Sequence, residues 1–116
     1  MTKKNEFVEY LIELLQDFGS VTARAMFGGY GLYHEGLMFG LVADDTLYLK
    51  VDDQSRSTFE AEGLEPFMYV KNGKAMAMSY HQAPAEALEN PREMQHWATL
   101  AYEAALRAPR KKPRKK

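Results

Sequence analysis

Arg24-Ala25-Met26-Phe27-Gly28-Gly29-Tyr30-Gly31-Leu32-Tyr33 is the stretch whose reading decides the fold of this chain. Three glycines fall inside a run whose methionine, phenylalanine and tyrosine residues otherwise suit a pleated strand. Glycine in a strand loses conformational entropy and offers no side chain to pack, so it marks a bulge, a bend or a close backbone approach. Gly28-Gly29 is therefore expected to break one long strand, Thr22 to Tyr33, into two arms and to let the sheet curl over a helix. A phosphate-cradling loop is the competing reading, but such loops lead from glycine into a helix N-terminus. Here the glycines lead into more strand, and Gly29-Tyr30-Gly31 lacks the later glycine and acidic partner of a dinucleotide fingerprint.

On the N-terminal side, residues 2–18 place Phe7, Tyr10, Leu11, Leu14, Leu15 and Phe18 three and four apart, the spacing of one apolar helical stripe. Thr2 reads as its N-cap and Gly19 as the residue just past its end. On the C-terminal side the period stays at two. His34-Glu35-Gly36 reads as a hairpin loop. Leu37 to Ala43 is nearly all apolar and reads as a central strand covered on both faces, and Leu47, Leu49 and Val51 alternate with Tyr48 and Lys50. Asp52 or Asp53 caps a short helix anchored by Phe59 and ending at Gly63. Pro66 opens a strand to Lys71, Asn72-Gly73 is a strong hairpin signal, and Lys74 to Tyr80 returns. After a loop, Asn90, Pro91 and Glu93 mark the start of a last helix. Met94, Trp97, Ala98, Ala101, Ala104 and Ala105 form its buried face, and Pro109 stops it.

The order is thus α-β-β-β-α-β-β-α, an α+β domain. About five antiparallel strands carry helices mainly on one face. Residues 1–108 form the domain, and 109–116 form a basic tail without apolar residues, expected to be mobile. At 116 residues, 46% hydrophobic and 27% charged, the composition is that of a soluble single-domain protein. The absence of cysteine excludes disulfides, thiolate metal sites and a cysteine nucleophile. No apolar run approaches the roughly 20 residues of a bilayer span, which predicts a cytoplasmic protein without membrane insertion. The formal net charge of −1 conceals an asymmetry, because residues 1–106 carry −8 and the last ten carry seven of the fifteen basic residues.

The chain offers no catalytic constellation. His34, His81 and His96 stand in a hairpin tip, a loop and a helix, none spaced as a zinc pair. Ser79, between Met78 and Tyr80 in a strand, is not in a nucleophile elbow. Neither a metal nor a cofactor is expected. Arg24 could hold an anion in a bidentate fork, yet pairing with an acidic neighbour is the favoured reading. An enzyme, or a small-molecule-binding protein, would need a pocket gathering Arg24 with Tyr80 or His81. The best binding hypothesis is an apolar sheet face. Met26, Met38, Met68, Met76 and Met78 all fall in strands, and some of them, with Phe27, Tyr30 and Tyr69, are expected opposite the helices as a dimer or partner-protein surface. Arg24, Met26, Phe27, Gly28, Gly29 and Tyr30 form the candidate motif. Arg110, Lys111, Lys112, Arg114, Lys115 and Lys116 form a candidate electrostatic tail suited to weak, non-specific nucleic-acid attachment.

At these residues the chain resembles the N-terminal domain of the TfoX/Sxy family of competence regulators. The matching pieces are residues 24–33, then Gly36-Leu-Met-Phe-Gly-Leu-Val-Ala, then Asp45-Thr-Leu-Tyr-Leu-Lys. Pro66-Phe-Met-Tyr, Met78-Ser-Tyr and the Trp97-Ala helix look like the family too, and together these pieces cover about residues 7–106. The resemblance implies an α+β fold akin to secretion chaperones. It also implies a non-enzymatic regulatory or protein-binding module linked to DNA-uptake gene expression, with no catalytic residues to carry over. Full-length regulators of this kind are similar in having an additional C-terminal helical domain, whereas the third helix here is followed by the basic tail.

Overall fold

The structure, a computed structural model, describes residues 6–26 and 29–108. Its elements run α1 (Glu6–Leu14), β1 (Thr22–Met26), β2 (Gly29–His34), β3 (Leu37–Ala43), β4 (Thr46–Lys50), α2 (Arg56–Ala61), β5 (Pro66–Lys71), β6 (Lys74–Gln82), a 3-10 turn (Ala85–Leu88) and α3 (Pro91–Arg107). The α+β class holds, with one antiparallel sheet in the order β1-β2-β3-β4-β6-β5. The described residues form six strands, where the sequence predicts about five. Met26 pairs with Gly29 and Thr22 with Tyr33, so the expected single bent strand is two strands, β1 and β2, paired antiparallel with each other. Gly29 fits through close approach, since a Cβ there would lie 2.0 Å from the Val42 carbonyl oxygen on β3. Phe27 and Gly28 lie outside the described residues. The register shift expected at the glycines occurs instead between Leu32 and Tyr33, where β3 carries one residue more, Phe39, than β2.

The tight turns follow their residues. Asn72 and Gly73 both take positive φ, 52° and 76°, as a two-residue hairpin turn requires. Asp52 and Ser55 cap each other ahead of α2: the Ser55 amide donates to Asp52 Oδ1 at 3.1 Å, and the Asp52 amide to Ser55 Oγ at 3.1 Å. Beyond α2, Gly63 has φ 73°, its amide donates to Glu60 O and that of Leu64 to Phe59 O, the paired bonds of a Schellman end. Asn90 Oδ1 accepts from the amides of Arg92 and Glu93, starting α3 as its sequence predicts. Thr2, the expected cap of α1, is outside the described residues.

All three helices pack on one face of the sheet. Leu11 and Leu15, Phe59, and Met94, Trp97, Ala98 and Ala101 meet Leu32, Phe39, Val42, Leu47, Leu49 and Val51 in one core. The six residues expected to form the buried face of α3 are all buried. Trp97 packs edge-on against Phe59, ring centroids 5.0 Å apart. His34 ends β2 rather than standing in the hairpin loop. Its ring lies 4.9 Å from both Phe18 and Tyr102, and its Nδ1–H donates to the Ser20 carbonyl at 2.7 Å, which joins the chain after α1 to β2 and α3. Arg107 grips Asp52 in a bidentate pair at 2.7 and 3.0 Å, closing the end of α3 onto the start of α2. The Arg107 hydrogen bond holds the Asp52 carboxyl well below the usual carboxylate range, and the Arg107 pKa is raised in turn. One of the basic residues counted with the chain end therefore belongs to the domain.

Candidate interaction face of the sheet

Strand alternation sends every second side chain away from the helices. The register identifies that open face: Arg24 lies opposite Gly31, Gly31 opposite Leu41, Leu41 opposite Tyr48, Tyr33 opposite Met38, and Lys50 opposite Tyr80. Gly31 leaves a gap that Met26 and Met38 border, since a Cβ there would come within 3.1 Å of Met26 Sδ and 3.2 Å of Met38 Sδ. On the far side, Tyr48 meets Phe67 of β5 edge-on at 4.9 Å, and Tyr69 shares the face of Phe67 by alternation.

The middle of this face is dry without a helix on it. Leu41 is 2% exposed and Tyr80 8%, both outside the helix-side core. The Lys50 ammonium sits 5.3 Å from the Tyr80 ring centroid, and the Arg24 guanidinium 5.3 Å from that of Tyr33. Burial, and then the nearness of Tyr33, push the Tyr80 hydroxyl up to about 12. Around the dry centre stand the half-buried Met26, Tyr33, Met38, Tyr48, Phe67 and Tyr69.

The sequence-predicted motif is thus divided. Arg24, Met26 and Gly29 belong to the open face. Tyr30 does not, because it lies on the helix side against the core, one residue out of phase with Gly29 and Gly31. Arg24 stacks on Tyr33, and among the described residues no carboxylate pairs with it, so the expected acidic partner is replaced by an aromatic one. Met68 and Val70 point to the helix side of β5 opposite Ala77 and Ala75, beyond the helices' cover, and are 49% and 64% exposed. Phe27, Gly28 and the tail cations Arg110, Lys111, Lys112, Arg114, Lys115 and Lys116 lie outside the described residues. Tyr33, Leu41, Tyr48, Phe67 and Tyr80 are the contributors that sequence reasoning missed. Their signal is the phase of their strands relative to one another, which no local spacing carries.

The grouping of Arg24 with Tyr80 or His81 that an enzyme would need is not formed by His81, which pairs with Leu49 on the helix side. Among the described residues, no three His, Asp or Glu gather closely enough to hold a metal ion, and no helix is long and apolar enough to cross a membrane.

Comparison with known proteins gives this geometry a context. The family model for the TfoX N-terminal domain matches residues 13–105. The DNA transformation protein TfoX1 of Aliivibrio fischeri is 35% identical over 72 residues, 62% of this chain and 34% of that protein. The protein Sxy of Escherichia coli K12 is 25% identical over 95 residues, 82% of this chain and 46% of that protein. The chain matches between a third and a half of the length of these curated relatives.

Proposed function

The chain belongs to the TfoX N-terminal domain family, and from that premise we propose that it is a non-catalytic regulatory module acting by protein contacts through the open face of its sheet. The observation that carries this reading is the composition of that face: methionines and tyrosines around a centre dry enough to leave Leu41 2% exposed. Tyrosine supplies large amphipathic contact area, and methionine adapts its shape to a partner. In this reading the protein works in the cytoplasm, in the control of DNA transformation, the process after which its Aliivibrio fischeri relative is named.

The test uses the native bacterium, with the chromosomal gene replaced by a Met38→Lys/Tyr48→Lys variant. Both side chains are half-buried at the rim of the face, so the fold should persist and the melting temperature of the purified variant should stay near that of the wild type. The expected result is a fall of about tenfold or more in transformation frequency, the scale on which interface anchors act. A folded variant that transforms as well as wild type would overturn the proposal.

A further inference from the structure

On the helix side, away from the open face, α2 and the chain following it stand off β5 and β6 and leave a cleft of about 450 Å³. Val51, Leu64, Pro66 and Met78 line it with apolar surface, and Arg56, Glu60, Glu65, Ser79 and His81 supply polar groups. The volume lies within the range of small-molecule sites, roughly 300 to 1,000 Å³.

The protonation pattern of its buried polar group is set by the backbone. His81 is only 4% exposed, and its Nδ1 lies 2.8 Å from the Leu64 carbonyl oxygen. A carbonyl can only accept, so Nδ1 carries the hydrogen, and in the neutral ring Nε2 presents a lone pair. The Schellman end of α2 is what aims that carbonyl, through the bond from the Leu64 amide to Phe59 O. No described residue donates to Nε2, and a buried acceptor without a donor costs about 1 to 3 kcal/mol.

The charges around it are one guanidinium, Arg56, and two carboxylates, Glu60 and Glu65. The Arg56 guanidinium is paired with Asp53, which does not line the cleft, at 3.0 Å. Glu60 and Glu65 have no cationic partner among the described residues. The lining therefore combines acceptors without a partner among the described residues, Glu60, Glu65 and His81 Nε2, with the hydrocarbon of Val51, Leu64, Pro66 and Met78. A molecule that satisfies the unpaired acceptors brings N–H donors, positive charge and an apolar body.

We infer that this cleft is a binding site for a small organic amine, its ammonium held by Glu60, Glu65 and the His81 Nε2 lone pair and its hydrocarbon laid against Val51, Leu64 and Pro66. The inference is independent of the open face, because none of the residues assigned to that face lines the cleft.

The experiment uses the full chain, labelled with 15N, and benzylamine as the probe. Benzyl alcohol serves as the neutral isostere, sodium benzoate as the anion and zinc chloride as the metal control. Benzylamine should give saturable shifts at the Leu64, Ser79 and His81 amides and move the His81 Nε2 resonance, while the alcohol and benzoate bind more weakly. The Glu60→Gln/Glu65→Gln variant alters only exposed side chains, so it should fold normally and bind benzylamine about fivefold more weakly. Absence of saturable shifts at these positions would overturn the inference. So would equal binding of benzoate or benzyl alcohol, undiminished binding by the double glutamine variant, or zinc saturating the same resonances in place of the amine.

Discussion

On the helix side of the sheet, Leu32, Phe39, Leu47 and Leu49 are wholly buried beneath three helices. On the other side, strands carrying the same backbone bonds present Met38, Tyr33, Tyr48 and Phe67, half-buried, around Leu41 and Tyr80. The helix side is dry because other elements cover it, and the four side chains at its centre are leucine and phenylalanine without polar tips. The open side is dry only at its centre, where glycines let methionine close in and cations lie over tyrosine rings. The contrast separates two uses of apolar surface. One face holds the chain together, and the other is the surface proposed above to meet a partner.

Substitutions should separate the faces by size of effect. Phe59→Ala removes a fully buried ring that packs on Trp97, and should cost about 3 to 5 kcal/mol in chemical denaturation followed by circular dichroism. Tyr48→Ala on the open face should cost about 1 kcal/mol or less. If the two cost the same, the open face is part of the folding core and the contrast fails. Gly29→Ala comes next, because its Cβ would strike the Val42 carbonyl at 2.0 Å and force β2 from β3. A loss of about 1 to 3 kcal/mol is expected, whereas Gly31→Ala meets only the pliable Met26 and Met38 ends and should lose less.

Two smaller effects are read by pH. The Asp52 carboxyl titrates lower in the folded chain than its ordinary 3.8, so its contribution is present above that value and is lost as pH falls below it. Asp52→Ala should cost about 1 kcal/mol at neutral pH through the lost cap alone and should flatten the acid limb of the stability profile. Tyr80 shows the opposite sign. Its folded value near 12 exceeds the ordinary 10.0, so stability is full below pH 10 and declines as pH rises toward 12. Tyr80→Phe should remove that alkaline decline, with the hydroxyl's late ionisation missing from the ultraviolet titration. An unchanged profile would mean that the centre of the open face is wet.

Where the signal is local, the sequence is sufficient. The α3 cap and buried face, the Asn72-Gly73 turn and the end of α2 at Gly63 are all set by neighbours a few residues apart. The pairing of β1 with β2 escapes a local reading because the sequence Met26-Phe27-Gly28-Gly29 contains no Asn or Asp, and its apolar residues read as continuing strand. His34 reads as a loop residue since its partners, Phe18 and Tyr102, come from separate elements far off in the chain. The candidate face is half legible for the same reason. Alternation within a strand is written in sequence, but which phase faces the helices depends on a bulge at Phe39 and on pairings between β2, β3, β4 and β6. Tyr30 falls on the unexpected side through that gap, and Tyr80 carries no local mark of its place.

Trp97 is the sole indole in the chain, and it stands edge-on to Phe59 at the seam between α2 and α3. His81 approaches the same phenyl ring, its centroid 6.0 Å away. Emission from this one fluorophore therefore reports on the seam without any label. Its colour will register the entry of solvent there, and its intensity any occupant that disturbs the phenyl ring, so the protein carries its own optical gauge.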